Sequence, residues 1–389
     1  MEPDWSHLPK DILLIASEKL ISIVDYIRFR AVCRVWRSIL PPTPYQLPQL
    51  PWLMLPSDRN KSEGPDTSAR FFYDLADSRI HNIHLPETSK KEYCSSSCSY
   101  VTLADGPDVS LLNLITRETF NLPSLKTSPA LAFRPFIPSY VRCQLGIWPF
   151  WHGSKKLTDP IIQKTLLLSD PSQDSKCIVM ALLKNNWGAA LCKIGDECWT
   201  LLDEPPKHEN YTVIDATHKN GLFYTISRKD IKVYNLRGLR SEVVKIDLPL
   251  ELAEYHLVDG TSDELLLVAQ HLTPDGQSTR ENFTIYKLSK VGKPSWVKVT
   301  NIGERMIFLC RGHKQCFSFP TDNLLAEGWG RNMLLSASAS ILEQHKISLE
   351  FEYVIKQVNL KNNDVNVVAS FGSHNMSCTQ ALWITPSLC

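Results

Sequence analysis

Long apolar runs are missing from this 389-residue chain. Stretches such as Leu265–Val268 stop after a few residues, far short of the roughly 20 that a membrane-crossing helix requires. An excess of one charge is missing too: 42 basic residues face 41 acidic ones, leaving a net charge of +1. No global field draws the chain to nucleic acid or to an anionic membrane, and neither is expected as a partner. The opening MEPDWSHLPKD lacks the basic and apolar regions of a secretory signal. Eleven cysteines, an odd number without framework spacing, fit reduced thiols and hence the cytosol or nucleus. In that setting the acceptor triplets at Asn210, Asn282 and Asn375 stay unglycosylated.

Catalytic signatures are also lacking. G-x-S-x-G, H-E-x-x-H, a phosphate-cradling glycine loop and G-x-G-x-x-G do not occur. The adjacent carboxylates Asp203–Glu204 and Asp263–Glu264 point to opposite sides of a strand or into a turn, not toward each other across a scissile bond. No residue is assigned a catalytic role, and no cofactor is expected. Cys94 and Cys98 offer two thiols where a structural zinc takes four ligands, and His81 and His84 read as solvent-facing, so no metal is assigned. Cys192/Cys198 and Cys310/Cys316 flank turns and read as core thiols.

What is present begins in the first forty residues. Pro9 suits a first helical turn and Asp11 suits the positive end of the helix dipole. Ile12, Ile15, Ala16 and Leu20 then recur at helical spacing. Either Ser22, through a capping box with Asp25, or Asp25 itself starts a second helix. Phe29, Val32, Cys33 and Trp36 fall at i, i+3, i+4 and i+7, an apolar stripe beside the solvated arginines Arg30, Arg34 and Arg37. Pro41 and Pro42 end the element. A unit this small builds no adequate core alone, so its apolar stripes need cover, from the rest of the chain or from another protein.

Leu8–Pro9, the Ile12–Leu13 pair, the Asp-opened second helix and the V-C-x-x-W-R close at Val32–Arg37 resemble an F-box. The resemblance implies that Leu8, Pro9, Ile12, Leu13, Val32, Cys33 and Trp36 contact the Skp-type adaptor of an SCF (Skp–cullin–F-box) ubiquitin ligase, and through it the cullin.

Beyond the F-box-like residues 1–42, residues 43–68 read as a proline-rich connector, a first strand placed at 50–55 and a polar loop. From residue 69 onward short alternating runs are punctuated by Gly, Asp, Asn and Pro, the texture of all-β structure. Six phrases share one shape: an alternating strand, a polar turn and a second strand. Marked at Asp74, Asn113, Lys193, Asn235, Lys287 and Asn359, they are spaced by 39, 80, 42, 52 and 72 residues. Three of those spacings match the roughly 40–50 residues of a propeller blade, and the two longer ones leave room for insertions or a further blade. With the runs between them, the phrases predict a β-propeller of five to seven blades over residues 69–389. Trp148, Phe150 and Trp151 in GIWPFWHG read as a loop packed over the ring, in preference to an exposed recognition tip.

SYVTLADGPDVSLLNLITRETFNLPSL, GLFYTISRKDIKVYNL, IGERMIFLCRGHKQCFSFP and ALWITPSL resemble the plant KIB-type β-propeller domain found behind an F-box. Gln315–Cys316 and the segment from Asn323 to Ile347 depart from the usual pattern of its last blade. Together the two resemblances imply a non-catalytic substrate receptor: the helices dock the ligase adaptor and the propeller captures a protein target. The rivals are a scaffold that acts outside the ligase and, third, an enzyme with its site in the propeller channel.

Overall fold

The computed structural model describes residues 5–20, 23–41, 50–56, 68–89, 91–127, 162–184, 188–202, 212–235, 240–260, 264–275, 278–310, 314–321, 332–344, 349–375 and 381–385. After a 3-10 turn at Trp5–His7 come α1 (Lys10–Ser17), α2 (Ile23–Arg30) and α3 (Arg34–Ile39). Pro9 sits one position ahead of the expected first turn, as the extended N-cap of α1. The stripe from Phe29 to Trp36 does not run along one helix. The chain breaks after Arg30, and Cys33, in extended conformation, caps α3 by accepting the Trp36 N–H on its sulfur at 3.5 Å.

Six sheets follow, arranged as blades. In blade 1, β1 (Trp52–Met54), β2 (Ala69–Asp74) and β3 (Arg79–His84) are joined on the inner side by the last strand, Leu382–Ile384. Blade 2 is β4–β7 (Glu92–Ser97, Tyr100–Asp105, Asp108–Asn113, Thr119–Asn121) and blade 3 is β8–β11 (Ile162–Leu167, Ile178–Leu183, Gly188–Lys193, Thr200–Leu201). Blade 4 is β12–β15 (Asp215–Lys219, Leu222–Ile226, Asp230–Tyr234, Arg240–Lys245) and blade 5 is β16–β19 (Glu254–Asp259, Leu265–Asp275, Ser278–Ser289, Ser295–Val299). Blade 6 has five strands, in the order β21 (Gln315–Pro320), β20 (Arg305–Cys310), β22 (Met333–Gln344), β23 (Leu349–Asn359) and β24 (Val365–Asn375). The closing strand is β25.

Every one of the six repeated phrases forms the outer hairpin of one blade, so six blades exhaust the repeat. The spacing of 72 residues reflects the irregular last blade, where β20 turns inward to β21 and β22 then pairs parallel to β20 on its other side. Turn chemistry fixes register locally. Asn220–Gly221, both at positive φ, form the two-residue loop between Lys219 and Leu222 that suits strand twist. Apolar clusters fill the gaps between neighbouring blades, as where Ile226, Ile231, Tyr255, Leu257 and Leu267 meet between blades 4 and 5.

Ring closure rests on few backbone bonds, because β25 pairs with β1 over only Leu382, Trp383 and Ile384. Side chains reinforce it. Trp383 is fully buried and its indole donates to Leu309 O at 2.9 Å. Gln315 accepts the Trp383 N–H at 2.7 Å and donates to Trp383 O at 2.5 Å, and Ser96 donates to that same carbonyl at 2.5 Å. Cys310 donates its thiol to Ala381 O at 2.9 Å. Trp383→Ala is therefore expected to cost about 3–5 kcal/mol, read from the shift of the urea unfolding midpoint.

Candidate docking surface and channel

The seven residues expected to face an adaptor separate into three groups. Leu13 is fully buried and Trp36 is 7% exposed, both inside the protein's own structure. Trp36 lies 4.6 Å from Phe29 between ring centroids and donates its indole N–H to Trp5 O at 2.9 Å. Cys33 is half-buried by its capping role, and so is Leu8. Pro9 is exposed, as are Ile12 at 49% and Val32 at 58%.

Ile15, Val35 and Trp5 are exposed as well, and sequence reasoning missed them as surface groups. Helix α1 is apolar nearly all round, so periodicity could not choose its inward face. Leu13 and Ser17 point inward, while Ile12 and Ile15 of the expected core stripe point out. Of the neighbouring arginines, Arg34 and Arg37 are solvated as expected, and Arg30 turns back to donate to Leu40 O at 3.1 Å.

The opposite side of the helical unit is held by the propeller. Tyr26 and Leu40 share one buried cluster with Trp52, Met54, Phe72 and Leu85 of blade 1 and with Leu382 and Ile384 of the closing strand. Tyr26 also donates its hydroxyl to Pro41 O at 2.7 Å, so the chain leaving α3 is anchored. Cover comes from the chain's own sheets on this side, whereas Ile12, Ile15, Val32 and Val35 remain exposed.

The innermost strands β4, β8, β12 and β16 bring polar groups toward the propeller axis. Lys164 donates to Asp215 at 2.9 Å with both side chains almost wholly buried. Asp215 also accepts the N–H groups of Ala216 at 2.8 Å and Leu257 at 2.7 Å. His256 is fully buried, and neither ring nitrogen has a partner. Burial first, and the Lys314 and Lys164 ammoniums after it, push its pKa down, outweighing Glu254 and Asp215. Asp215 and His256 have no exposed surface from which to meet a substrate. Burial also pushes the Cys94 thiol up to about 12 and raises Cys192 and Cys316, which leaves these thiols protonated and unreactive.

Cys94, Cys192, Cys310 and Cys316 are buried, but Cys198, expected in the core, is exposed beside the turn before β11. Cys98 is exposed too, at positive φ after β4, while Cys94 is buried in the strand. His84 is exposed and shares a hydrogen bond with Ser68 at 3.0 Å, whereas His81 is not solvent-facing but stacks on Trp52 at 5.6 Å. The aromatic segment Trp148–Trp151 and the pair Asp203–Glu204 lie outside the described residues, as do Ser22 and Pro42. Among the described residues no helix is long and apolar enough to cross a membrane.

Comparisons with known proteins accord with this layout. A family profile described as KIB1-4 beta-propeller matches residues 72–345. F-box protein SKIP23 of Arabidopsis thaliana is 45% identical over 357 residues, covering 83% of this chain and 81% of its own. F-box protein KIB4 of the same plant is 24% identical over 316 residues, covering 78% of this chain and 76% of its own. Among solved structures, the N-terminal domain of Nup159 is 10% identical with a TM-score of 0.34, covering 86% of this chain and 75% of that one.

The buried pair and the buried histidine generate two expectations. Lys164→Met leaves Asp215 charged and unpaired, and is expected to cost about 3–5 kcal/mol in denaturant unfolding. His256, its pKa lowered from 6.5, stays neutral when folded while the unfolded chain takes up a proton. Stability is therefore full above pH 6.5 and falls as pH drops through that value toward the lower folded pKa. His218, lowered by its own burial, acts with the same sign. His256→Leu should flatten the acid slope of the unfolding midpoint without destabilising the protein at neutral pH.

Proposed function

From its membership of the KIB1-4 β-propeller family, to which the chain belongs, we propose that it is the substrate-recognition subunit of an SCF-type ubiquitin ligase. The helical unit docks the Skp-type adaptor, and through it the cullin, and the propeller holds a protein target. The observation that carries this reading is the two-sided helical unit. One side is sealed against the closing blade through Tyr26 and Leu40, and the other leaves Ile12, Ile15, Val32 and Val35 without cover. Full burial of such side chains stabilises by roughly 1.5–3 kcal/mol each, enough for a few of them to anchor a partner.

On this reading the chain makes and breaks no bond itself. It raises the effective concentration of the target beside the ubiquitin-carrying enzyme, and a rigid joint between helices and ring preserves that geometry. Among the described residues of the inner strands, Asp215 is saturated with donors and His256 is sealed, so neither is open to a substrate. We place the protein in the cytosol or nucleus, where its cysteines remain reduced.

Exposed and buried members of the docking set call for different variants. Trp36→Ala would disturb the fold of the helices and so does not report on docking. Ile12→Asp combined with Val32→Asp is expected to abolish co-purification of the Skp-type adaptor while the thermal midpoint stays within about 2 °C of the parent's. Adaptor recovery at the parent's level would refute the docking assignment.

A further inference from the structure

We propose that the outer hairpin of blade 1 carries a divalent transition-metal site, of the class that takes zinc, formed by Asp74, Asp77 and His81. One ligand atom from each of the three lies within 4.8 Å of the others. These are not loose surface acids. Side-chain exposure is 2% for Asp74, 8% for Asp77 and 17% for His81.

The hairpin builds the set from a short stretch of chain. Asp74 closes β2 opposite Arg79, and its Oδ1 accepts the Ala76 N–H at 2.8 Å. Asp77 in the turn uses its own Oδ1 to accept the Arg79 N–H at 2.9 Å. Each carboxylate is thereby oriented with its second oxygen, Oδ2, toward His81. The Trp52 indole also hydrogen-bonds the Asp74 carboxylate, and the His81 ring lies over the Trp52 ring at 5.6 Å. Neighbours that fix ligand orientation in this way are the usual outer shell of a metal centre.

His81 Nε2 is buried without a hydrogen-bond partner. It lies 3.5 Å from Asp77 Oδ2 and 3.9 Å from Asp74 Oδ2. Hydrogen bonds of this type run about 2.7–3.2 Å, so the gaps are too wide for direct bonding. Ligand atoms on a tetrahedral zinc, with bonds of about 2.0–2.2 Å, stand roughly 3.3–3.6 Å apart, close to the spacing found. Charge points the same way. Two buried carboxylates held side by side repel, and a dication bound between them balances both. Two oxygens and one imidazole nitrogen suit zinc, with a fourth position left for water or an added ligand.

The proposal is tested on the full chain, demetallated and then titrated with zinc chloride in equilibrium dialysis. The parent protein is expected to bind one equivalent and to gain thermal stability. His81→Gln and Asp77→Asn, with circular dichroism like the parent's, are expected to weaken binding more than about tenfold and to lose the thermal gain. Cobalt(II) on the parent protein supplies a readout independent of any variant. The expected spectrum has the visible bands of a four-coordinate nitrogen–oxygen site and no thiolate charge-transfer band. Absence of saturable zinc binding, equal binding in His81→Gln, or a thiolate band placing the metal on cysteines would each overturn the assignment.

Discussion

Closure of the ring by a strand of three residues is the constraint on which the rest depends. A propeller protects its sheet edges only when the last blade holds the first, and β25 offers too few backbone bonds to do this alone. The Trp383 backbone N–H, its carbonyl and its indole are each engaged by a neighbouring blade, so the seam is fastened by side chains as well as by pairing. Leu382 and Ile384 of that strand also lie in the cluster that holds Tyr26 and Leu40. Closing the ring and seating the helices are therefore one packing event, and loosening either should loosen the other.

That coupling gives the helical unit its two faces. A small group of helices usually hides its apolar residues where it can, and here the propeller covers those that lie toward blade 1. Ile12, Ile15, Val32 and Val35 are left outside, although four such side chains in so short a stretch carry a cost in solubility. A surface retained under that cost is best accounted for by a partner that covers it.

The repeat was legible because strand, turn and strand recur at blade length even where the residues differ. Asp74, Asn113, Lys193, Asn235, Lys287 and Asn359 all mark the outer hairpin of a blade. The inner strands were harder to read, since residues along the axis, such as Lys164 and Asp215, are polar although buried. Pattern alone takes such strands for surface. Gln315 stood out only as a departure from the family pattern, and its part in the seam needs the third dimension, because Trp383 lies 68 residues further along the chain. The docking set was legible as a motif but not as a surface. Leu13 and Trp36 proved internal because apolar side chains surround α1, and because Cys33 breaks what reads as one helix. His81 was weighed as a ligand and set aside as solvent-facing, since Asp74 and Asp77 are ordinary hairpin aspartates until the fold brings them toward it.

Hydrogen–deuterium exchange of the full chain, with and without the Skp-type adaptor, tests the central claim most directly. Slowed exchange confined to residues 9–16 and 31–36, with the amides of blade 1 and the closing strand unchanged, is the result expected of a two-sided helical unit. Unchanged exchange in those helices, or protection appearing on the blades alone, would contradict it.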